Sequence, residues 1–281
     1  MLWVVATPIG NLEDITLRAL RLLREADVVL AEDTRRTRKL LTHFDIGTPL
    51  EAFHAHSDDG RVTTLVRRLE GGATMVLVSD AGTPLVSDPG IRLVAAARAA
   101  RLPVSVAPGA SAVLAALAGA GLRAERFRFL GFPPRAGGKR GRFLDALAGD
   151  PAAQVLYEAP GRTPALLRDL APRLGARRVA LCRELTKLHE EFRVGTAAEL
   201  AESAEAAADA IRGEVTLVIE ADDAAGTPEP LDDTELEAFV RERLVAGQRP
   251  KAVAKALAAR QGISGSEAYA RVEALRDRAP A

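Results

Sequence analysis

Hydrophobic residues in the first part of the chain come in short blocks separated by polar stretches. Five blocks have the length of a buried strand and fall at residues 2–6, 26–31, 49–53, 74–78 and 102–107. The stretches between them carry apolar residues at helical spacing and predict helices at residues 14–24, 37–44, 57–70 and 91–100. Strands that alternate with helices predict right-handed crossovers and a mainly parallel sheet.

A second alternating series follows a small, apolar helix predicted at residues 110–121, which links two lobes. Its predicted strands are 126–132, 154–158, 178–183, 189–194 and 214–221, and its predicted helices are 140–147, 163–174 and 197–208. The later strands are close enough in sequence to form antiparallel hairpins, so we expect a mixed sheet.

The last part of the chain has a different pattern. A Gly/Pro linker at 224–230 precedes three short predicted helices at 233–244, 250–260 and 264–276. We therefore predict an α/β protein with an N-terminal α/β lobe (1–109), a second α/β lobe (110–223) and a small helical C-terminal module (231–281).

Polar turns follow four of the predicted parallel strands, at residues 7–11, 32–35, 79–84 and 108–111. In an open α/β sheet, ligands bind outside the carboxyl ends of the strands, where these turns would meet. Residues 79–90 contain two Asp, two Pro and two Gly. These are more turn-forming residues than a simple reversal of the chain direction needs. The loop is either part of a ligand site or an elaborate strand-to-helix connection with Asp88 as N-cap.

The composition and length limit the classes of protein to which the chain could belong. With 281 residues, 48% of them hydrophobic, the chain is long enough for more than one domain. Its single cysteine, Cys182, excludes an internal disulfide and argues against a Cys-based zinc site. It also favours a reducing compartment, so we expect a cytoplasmic protein. We see no signal peptide at the start, and no apolar run reaches the roughly 18 residues of a membrane helix.

The net charge is zero, but basic residues are clustered. Clusters occur at residues 35–39, at 135–142 and at 241–260. Each cluster is either a solvated helix face or part of a surface that binds a polyanion.

Two other motifs are weaker, and a third is absent. Gly119, Gly121 and Ala124 match a degenerate dinucleotide motif, but they end a helix instead of following a strand. The segment 54–59 holds His54, His56 and Asp58, which could form a metal site or a polar loop; we favour the loop and expect no metal. No Gly-x-Ser-x-Gly motif supports a hydrolase.

Several motifs, taken together and in order, resemble a known family. They are residues 5–12 (Val-Ala-Thr-Pro-Ile-Gly-Asn-Leu), 31–35 (Ala-Glu-Asp-Thr-Arg), 79–90, 108–112 (Pro-Gly-Ala-Ser-Ala), 131–134 (Gly-Phe-Pro-Pro), 157–162 (Tyr-Glu-Ala-Pro-Gly-Arg), 183–187 (Arg-Glu-Leu-Thr-Lys) and 213–214 (Gly-Glu). With them the chain resembles the tetrapyrrole-methylase superfamily, in its ribosomal RNA branch. It departs at residues 159–161, Ala-Pro-Gly, where the family more often has Ser-Pro-His.

The resemblance implies a fold of two α/β lobes, usually in a homodimer, with S-adenosylmethionine bound in the cleft between them. It implies methyl transfer to the ribose 2′-hydroxyl of a cytidine in the 16S rRNA of the small ribosomal subunit. Matched by motif, the donor-binding residues are Pro8, Asp80, Thr83, Ala110, Ser111, Tyr157, Arg183 and Gly213. The Asp80 carboxylate would balance the positive charge of the donor's ammonium group. Backbone amides near Ser111 would bind the donor's carboxylate.

The motifs do not identify the residue that removes the proton from the 2′-hydroxyl. Candidates for this base are Glu184, Lys187, Asp33 and Asp14. Other roles compete: Asp33 and Asp14 could be N-caps, Glu184 could pair with Arg183, and Lys187 could bind a phosphate.

The same resemblance points to side chains that would contact RNA phosphates, namely Arg35, Arg38, Arg135, Lys139 and Arg140. Two other functions stay open at this point. One is methylation of a small, porphyrin-like molecule, and the other is RNA binding without catalysis.

Overall fold

The computed structural model describes residues 1–54, 59–85, 90–206, 212–222, 231–261 and 263–276. The chain divides into two compact units. One consists of Met1–Ala148 and Ala152–Ala221, and the other of Gly149–Pro151 and Asp222–Ala281.

The first sheet of the larger unit is entirely parallel, as predicted. Its strands are β1 (Leu2–Val5), β2 (Val28–Ala31), β3 (Leu50–Ala52), β4 (Met75–Val78) and β5 (Val104–Ala107), in the order β3-β2-β4-β1-β5. The helices that connect them are α1 (Leu17–Glu25), α2 (Thr34–His43), α3 (Asp59–Glu70) and α4 (Ile91–Ala99). Apolar residues of α1 and α2 cover one face of the sheet, and those of α3 and α4 cover the other. The β2 and β4 strands are buried at every position, and for this reason each is a continuous apolar run in the sequence.

Side-chain caps decide where two of these helices begin. The Asp33 carboxylate accepts a hydrogen bond from the Arg35 amide at 2.9 Å, so α2 starts at Thr34, three residues before the predicted start. The Thr16 hydroxyl accepts from the Ala19 amide at 3.0 Å and starts α1 at Leu17. Asp14 lies before this cap in a separate 3-10 turn, so the interpretation of Asp14 as the N-cap is wrong.

The second sheet is mixed, again as predicted. Its strands are β6 (Phe127–Phe129), β7 (Ala153–Glu158), β8 (Arg178–Arg183), β9 (Glu191–Thr196) and β10 (Val215–Ile219), in the order β6-β7-β10-β8-β9. The β6–β7 pair is parallel and the other neighbours are antiparallel. The helices are α5 (Ala112–Ala120), α6 (Gly137–Ala148), α7 (Thr163–Leu174) and α8 (Ala197–Ala206).

One apolar core joins the two lobes. The α6, α7 and α8 helices cover one face of the second sheet. The other face packs against α5 and against Ile9, which belongs to the turn after β1. Helix α5 therefore lies where the carboxyl edge of the first sheet meets the second sheet. The predicted domain boundary at residues 109 and 110 stays a prediction.

The smaller unit contains three helices within its described residues: α9 (Asp233–Val245), α10 (Pro250–Gln261) and α11 (Gly265–Arg276). Asp232 and Glu235 form a reciprocal capping box at the start of α9. Leu236, Val240 and Leu257 belong to an apolar core whose buried residues come from these three helices. The predicted linker at 224–230 lies outside the described residues. None of the described helices is long and apolar enough to cross a membrane.

Candidate functional site

The turns that follow the parallel strands are hydrogen-bonded to one another. Thr7 and Gly82 exchange two backbone hydrogen bonds of 2.9 and 3.0 Å, and the Ser79 hydroxyl donates to the Gly82 carbonyl at 2.8 Å. The Thr83 hydroxyl donates to the Ala110 carbonyl at 3.1 Å and joins the turn after β4 to the turn after β5. The carboxyl ends of these strands therefore form one connected surface.

A cavity of about 310 Å³ opens between this surface and the second lobe. Its first wall consists of Ile9, residues 81–83, Ser111 and Ala112. Its second wall consists of Phe132, residues 157–160 and residues 213–216. The cavity lies beside the N-terminus of α5, whose first amides have no partner within the helix. It can thus accept a ligand with an anionic group at that end.

Four of the eight predicted donor-binding residues line this cavity: Thr83, Ser111, Tyr157 and Gly213. A fifth, Ala110, precedes Ser111 and holds the Thr83 hydroxyl through its carbonyl. Gly213 has a φ of 82°, and a Cβ atom there would lie 2.1 Å from Glu184 Oε1. A side chain at residue 213 would therefore be strained by the backbone conformation and would have to displace the Glu184 side chain.

Pro8 and Asp80 border a smaller cavity of about 170 Å³, which also contacts Arg36. The Asp80 carboxylate accepts from the Asp33 amide at 2.9 Å, and its other oxygen lies 3.8 Å from Arg36 Nη1. The negative charge of Asp80 therefore already has a cationic neighbour. Its predicted role toward the donor's ammonium stays a prediction.

The Arg183 side chain pairs with Glu191, whereas the motif predicted a contact between Arg183 and the methyl donor. Its Nε atom lies 3.0 Å from Glu191 Oε2, across the β8–β9 pair. Arg183 is absent from the described residues that line the 310 Å³ cavity. Its predicted contact with the donor stays a prediction.

Two of the base candidates, Glu184 and Lys187, bind each other. Lys187 Nζ lies 2.9 Å from Glu184 Oε1 and 3.1 Å from Glu214 Oε2, and the Glu214 amide also donates to Glu184 at 2.9 Å. The hydrogen bonds from Lys187 and from the Glu214 amide lower the pKa of Glu184. Partial burial opposes ionisation of Lys187, but its two carboxylate partners raise its pKa. Each side chain holds the other in its charged form, which leaves neither well suited to accept a proton at neutral pH.

The loop that carries these residues packs on the first lobe. The Asn11 amide donates to the Thr186 hydroxyl at 3.1 Å. A Cβ atom at Gly10 would lie 2.4 Å from Lys187 Cγ and 3.0 Å from the Leu185 carbonyl oxygen. Close approach of the Gly10 backbone thus lets the loop at 184–187 meet the turn after β1.

Asp33, the third base candidate, serves as the N-cap of α2, as the competing interpretation held. Its carboxylate also pairs with the Arg35 guanidinium at 2.9 Å. Hydrogen bonds from the side chain and the amide of Arg35 lower the pKa of Asp33 to about 2. A carboxylate with such a low pKa is a weak base.

The predicted RNA contacts fall into two groups. Arg35 and Arg38 are exposed on α2, although Arg35 pairs with Asp33. Arg135 is exposed in the loop before α6, and Lys139 is exposed in the first turn of α6. Arg140 differs, because its guanidinium donates to Asp169 Oδ2 at 2.9 Å and to the Pro134 carbonyl at 3.1 Å, and its side chain is only 13% exposed. Its contact with RNA stays a prediction.

Two alternatives from the sequence fall partly on residues that are not described. His56 and Asp58 lie outside the described residues, and within the described part no cluster of His, Cys, Asp and Glu could hold a metal ion. Asp88 also lies outside them; the N-cap position of α4 belongs to Gly90, so the interpretation of Asp88 as its N-cap is wrong. Cys182 is buried, and burial raises the pKa of its thiol to about 12, which makes it a poor nucleophile.

Phe132 and Glu158 are among the cavity residues to which sequence reasoning assigned no role. Phe132 is 56% exposed at the rim, and Glu158 has a fully buried side chain behind the wall. An aromatic residue before two prolines, and a Glu at the end of an apolar strand, were the available signals.

Comparisons with known proteins agree with this fold. The family model described as Tetrapyrrole (Corrin/Porphyrin) Methylases matches residues 1–201. The Ribosomal RNA small subunit methyltransferase I of Halalkalibacterium halodurans is 42% identical over 95% of this chain and 93% of that protein. The protein of the same name from Xylella fastidiosa is 46% identical over 78% of this chain and 81% of its own length. The chain therefore belongs to the tetrapyrrole methylase family, and within it to the group named ribosomal RNA small subunit methyltransferase I.

The fold is also that of solved methylase structures. Uroporphyrin-III C-methyl transferase from Thermus thermophilus, solved in complex with S-adenyl homocysteine, matches with a TM-score of 0.53. The match has 23% sequence identity and covers 78% of this chain and 96% of that one. The α/β fold with two lobes and the resemblance to the family are both confirmed.

Proposed function

We propose that the protein transfers a methyl group from S-adenosylmethionine to the ribose 2′-hydroxyl of a cytidine in the 16S rRNA of the small ribosomal subunit. The observation that carries the proposal is the likeness to relatives named Ribosomal RNA small subunit methyltransferase I, with identities from 38% to 48%. We place the reaction in the cytoplasm and the enzyme in a homodimer, as the family resemblance implies.

The residues around the 310 Å³ cavity fit S-adenosylmethionine. Glycines with positive φ, Gly82 and Gly213, lie on opposite walls, so the backbone on each side can approach a ligand closely. At one end, the unpaired amides at the start of α5 suit the carboxylate of the donor's methionine part. The Ser111 side chain makes no capping hydrogen bond and is therefore available to a ligand.

When bound, S-adenosylmethionine supplies a methyl group on a positively charged sulfur. The protein's part is to hold the accepting hydroxyl in line with that group and to let its proton leave. Glu184, Lys187 and Asp33 are each held in their charged form by neighbours, so we assign the larger share of catalysis to positioning. The same three residues remain the candidates for the base.

The test is transfer of labelled methyl groups from S-adenosylmethionine to purified small ribosomal subunits, with a tetrapyrrole precursor as a second substrate. We expect label in 16S rRNA, in a nuclease-resistant dinucleotide that marks a 2′-O-methyl group. Ser111→Phe puts a ring into the cavity and should abolish transfer. Leu114→Phe is the matched control, because Leu114 is 57% exposed one turn further along α5 and should leave transfer unchanged.

Other results would contradict the proposal. Label on a base would refute the ribose as the accepting group. Label in the tetrapyrrole alone would favour small-molecule methylation. Subunit binding with no transfer to either substrate would favour an RNA-binding protein without catalysis.

A further inference from the structure

The side chain of Phe132 lies exposed at the rim of the cavity. Phe132 is 56% exposed as a residue, and its ring centroid lies 5.5 Å from that of Tyr157, with an angle of 58° between the planes. Tyr157 packs in turn against Phe129 at 4.8 Å. The ring is therefore supported from the core side, while much of its apolar surface is open to a ligand.

The loop that carries Phe132 is fixed at several points. The Tyr157 amide donates to the Gly131 carbonyl at 2.9 Å, just before Phe132. Just after it, Pro133 is buried, and Arg140 donates to the Pro134 carbonyl at 3.1 Å. Arg140 is itself held by Asp169 at 2.9 Å. A ring on such a loop loses little conformational freedom when it binds a partner.

Positive charge lies next to this ring in the same segment. Arg135 and Lys139, both exposed, follow Phe132 in the loop and in the first turn of α6. An exposed apolar ring followed within seven residues by two exposed cations matches the chemistry of an unpaired ribonucleotide, which has an aromatic base and an anionic backbone. Unpaired bases in RNA are commonly bound by stacking on aromatic side chains, with Arg and Lys on the flanking phosphates.

We infer that Phe132 stacks on the base of an unpaired nucleotide that the RNA substrate presents at the mouth of the cavity. The inference rests on the proposed function, because it specifies how that site holds its substrate. The stacked base would bring its own ribose, or that of a neighbour, toward the donor-binding cavity. Arg135 and Lys139 would contact the phosphates on the same strand.

The test compares Phe132→Ala, Phe132→Trp and Phe127→Ala. Phe127 is the matched control, since it is 42% exposed on β6 and does not line the cavity. For Phe132→Ala we expect kcat/KM for small subunits and affinity for them to fall by roughly tenfold to a hundredfold, the range of one base stack. Phe132→Trp should restore most of the loss, and Phe127→Ala should change neither quantity. Affinity for S-adenosylmethionine, measured by calorimetry, should fall far less than affinity for small subunits in Phe132→Ala, because Phe132 lies at the rim of the cavity, and it should be unchanged in Phe127→Ala.

Three results would overturn the inference. A parallel loss of affinity for S-adenosylmethionine in Phe132→Ala would assign the ring to the donor site. A change of oligomeric state would assign it to a subunit interface. Wild-type behaviour of Phe132→Ala would exclude any role in substrate binding. Failure of the proposed function looks different: wild-type protein that binds subunits through Phe132 but transfers no methyl group would refute the reaction and keep the stacking contact.

Discussion

At the scale of single residues, Glu158 is the most constrained charge next to the cavity. Its side chain is fully buried; Oε1 lies 2.5 Å from Arg162 Nη2 and accepts from the Ala159 amide at 2.7 Å. Its other oxygen has no hydrogen-bond partner within the described part of the chain. Since residues 158–160 form part of the cavity wall, the ion pair with Arg162 holds that wall in place.

We predict that Arg162→Ala lowers the free energy of unfolding by about 3 to 5 kcal/mol, because it leaves a buried carboxylate without its cation. Urea denaturation measures the change. Arg21→Ala is the control: Arg21 pairs with Glu25 on an exposed face of α1, and its loss should cost less than about 1 kcal/mol. Equal, small effects of both substitutions would show that Arg162 does not neutralise Glu158.

Motifs located several site residues in the sequence, but they did not identify the partners of those residues. Thr83, Ser111, Tyr157 and Gly213 were predicted at the donor site, and all four line one cavity. The hydrogen bond between Asp80 and the Asp33 amide joins residues 47 positions apart. It exists because β2 and β4 are neighbours in the sheet, and strand order is a long-range property that local patterns do not contain.

At the scale of elements, the hydrophobic periodicity of the sequence was sufficient to predict most helices and strands. The predicted strand at 178–183 and helix at 163–174 have the bounds found in the structure. Errors occur at helix starts, as in α2, where Asp33 begins the helix earlier than the apolar pattern does. The docking of the loop at 184–187 on the turn at 7–11 was not foreseen, because it depends on how the two lobes pack.

That docking predicts a specific coupling between Gly10 and Lys187. Gly10→Ala places a methyl group against Lys187 Cγ and the Leu185 carbonyl, and we expect it to cost about 1 to 3 kcal/mol of stability through overpacking. Lys187→Ala removes the clashing methylenes, so it should cost less in the Gly10→Ala protein than in the wild type.

Denaturation of the single and double variants measures this coupling. Gly161→Ala serves as the control, because a Cβ atom there meets nothing within 4 Å. The prediction fails if the effects of Gly10→Ala and Lys187→Ala simply add, since the two residues would then not be in contact.

At the scale of the whole molecule, the cores of the two compact units are separate in sequence. The apolar clusters of both sheets use residues before Ala221, whereas the cluster of the smaller unit uses helices α9 to α11. Among the described residues, those that line the 310 Å³ cavity all belong to the larger unit. We therefore expect the larger unit to form this cavity without the smaller unit.

We predict that a chain ending at residue 222 still unfolds cooperatively and binds S-adenosylmethionine with the affinity of the full-length protein. Ending the chain at Asp222 keeps the hydrogen bond from its amide to the Pro151 carbonyl. Calorimetry with S-adenosylmethionine on both proteins makes the comparison, and Ser111→Phe in each provides a chain with a blocked cavity. If the shortened chain folds but no longer binds S-adenosylmethionine, the donor site must extend beyond the larger unit, and the assignment of the cavity as a complete donor site is wrong. If the shortened chain binds S-adenosylmethionine but no longer binds small ribosomal subunits, the basic residues of α9 and α10 are the next candidates for RNA contacts.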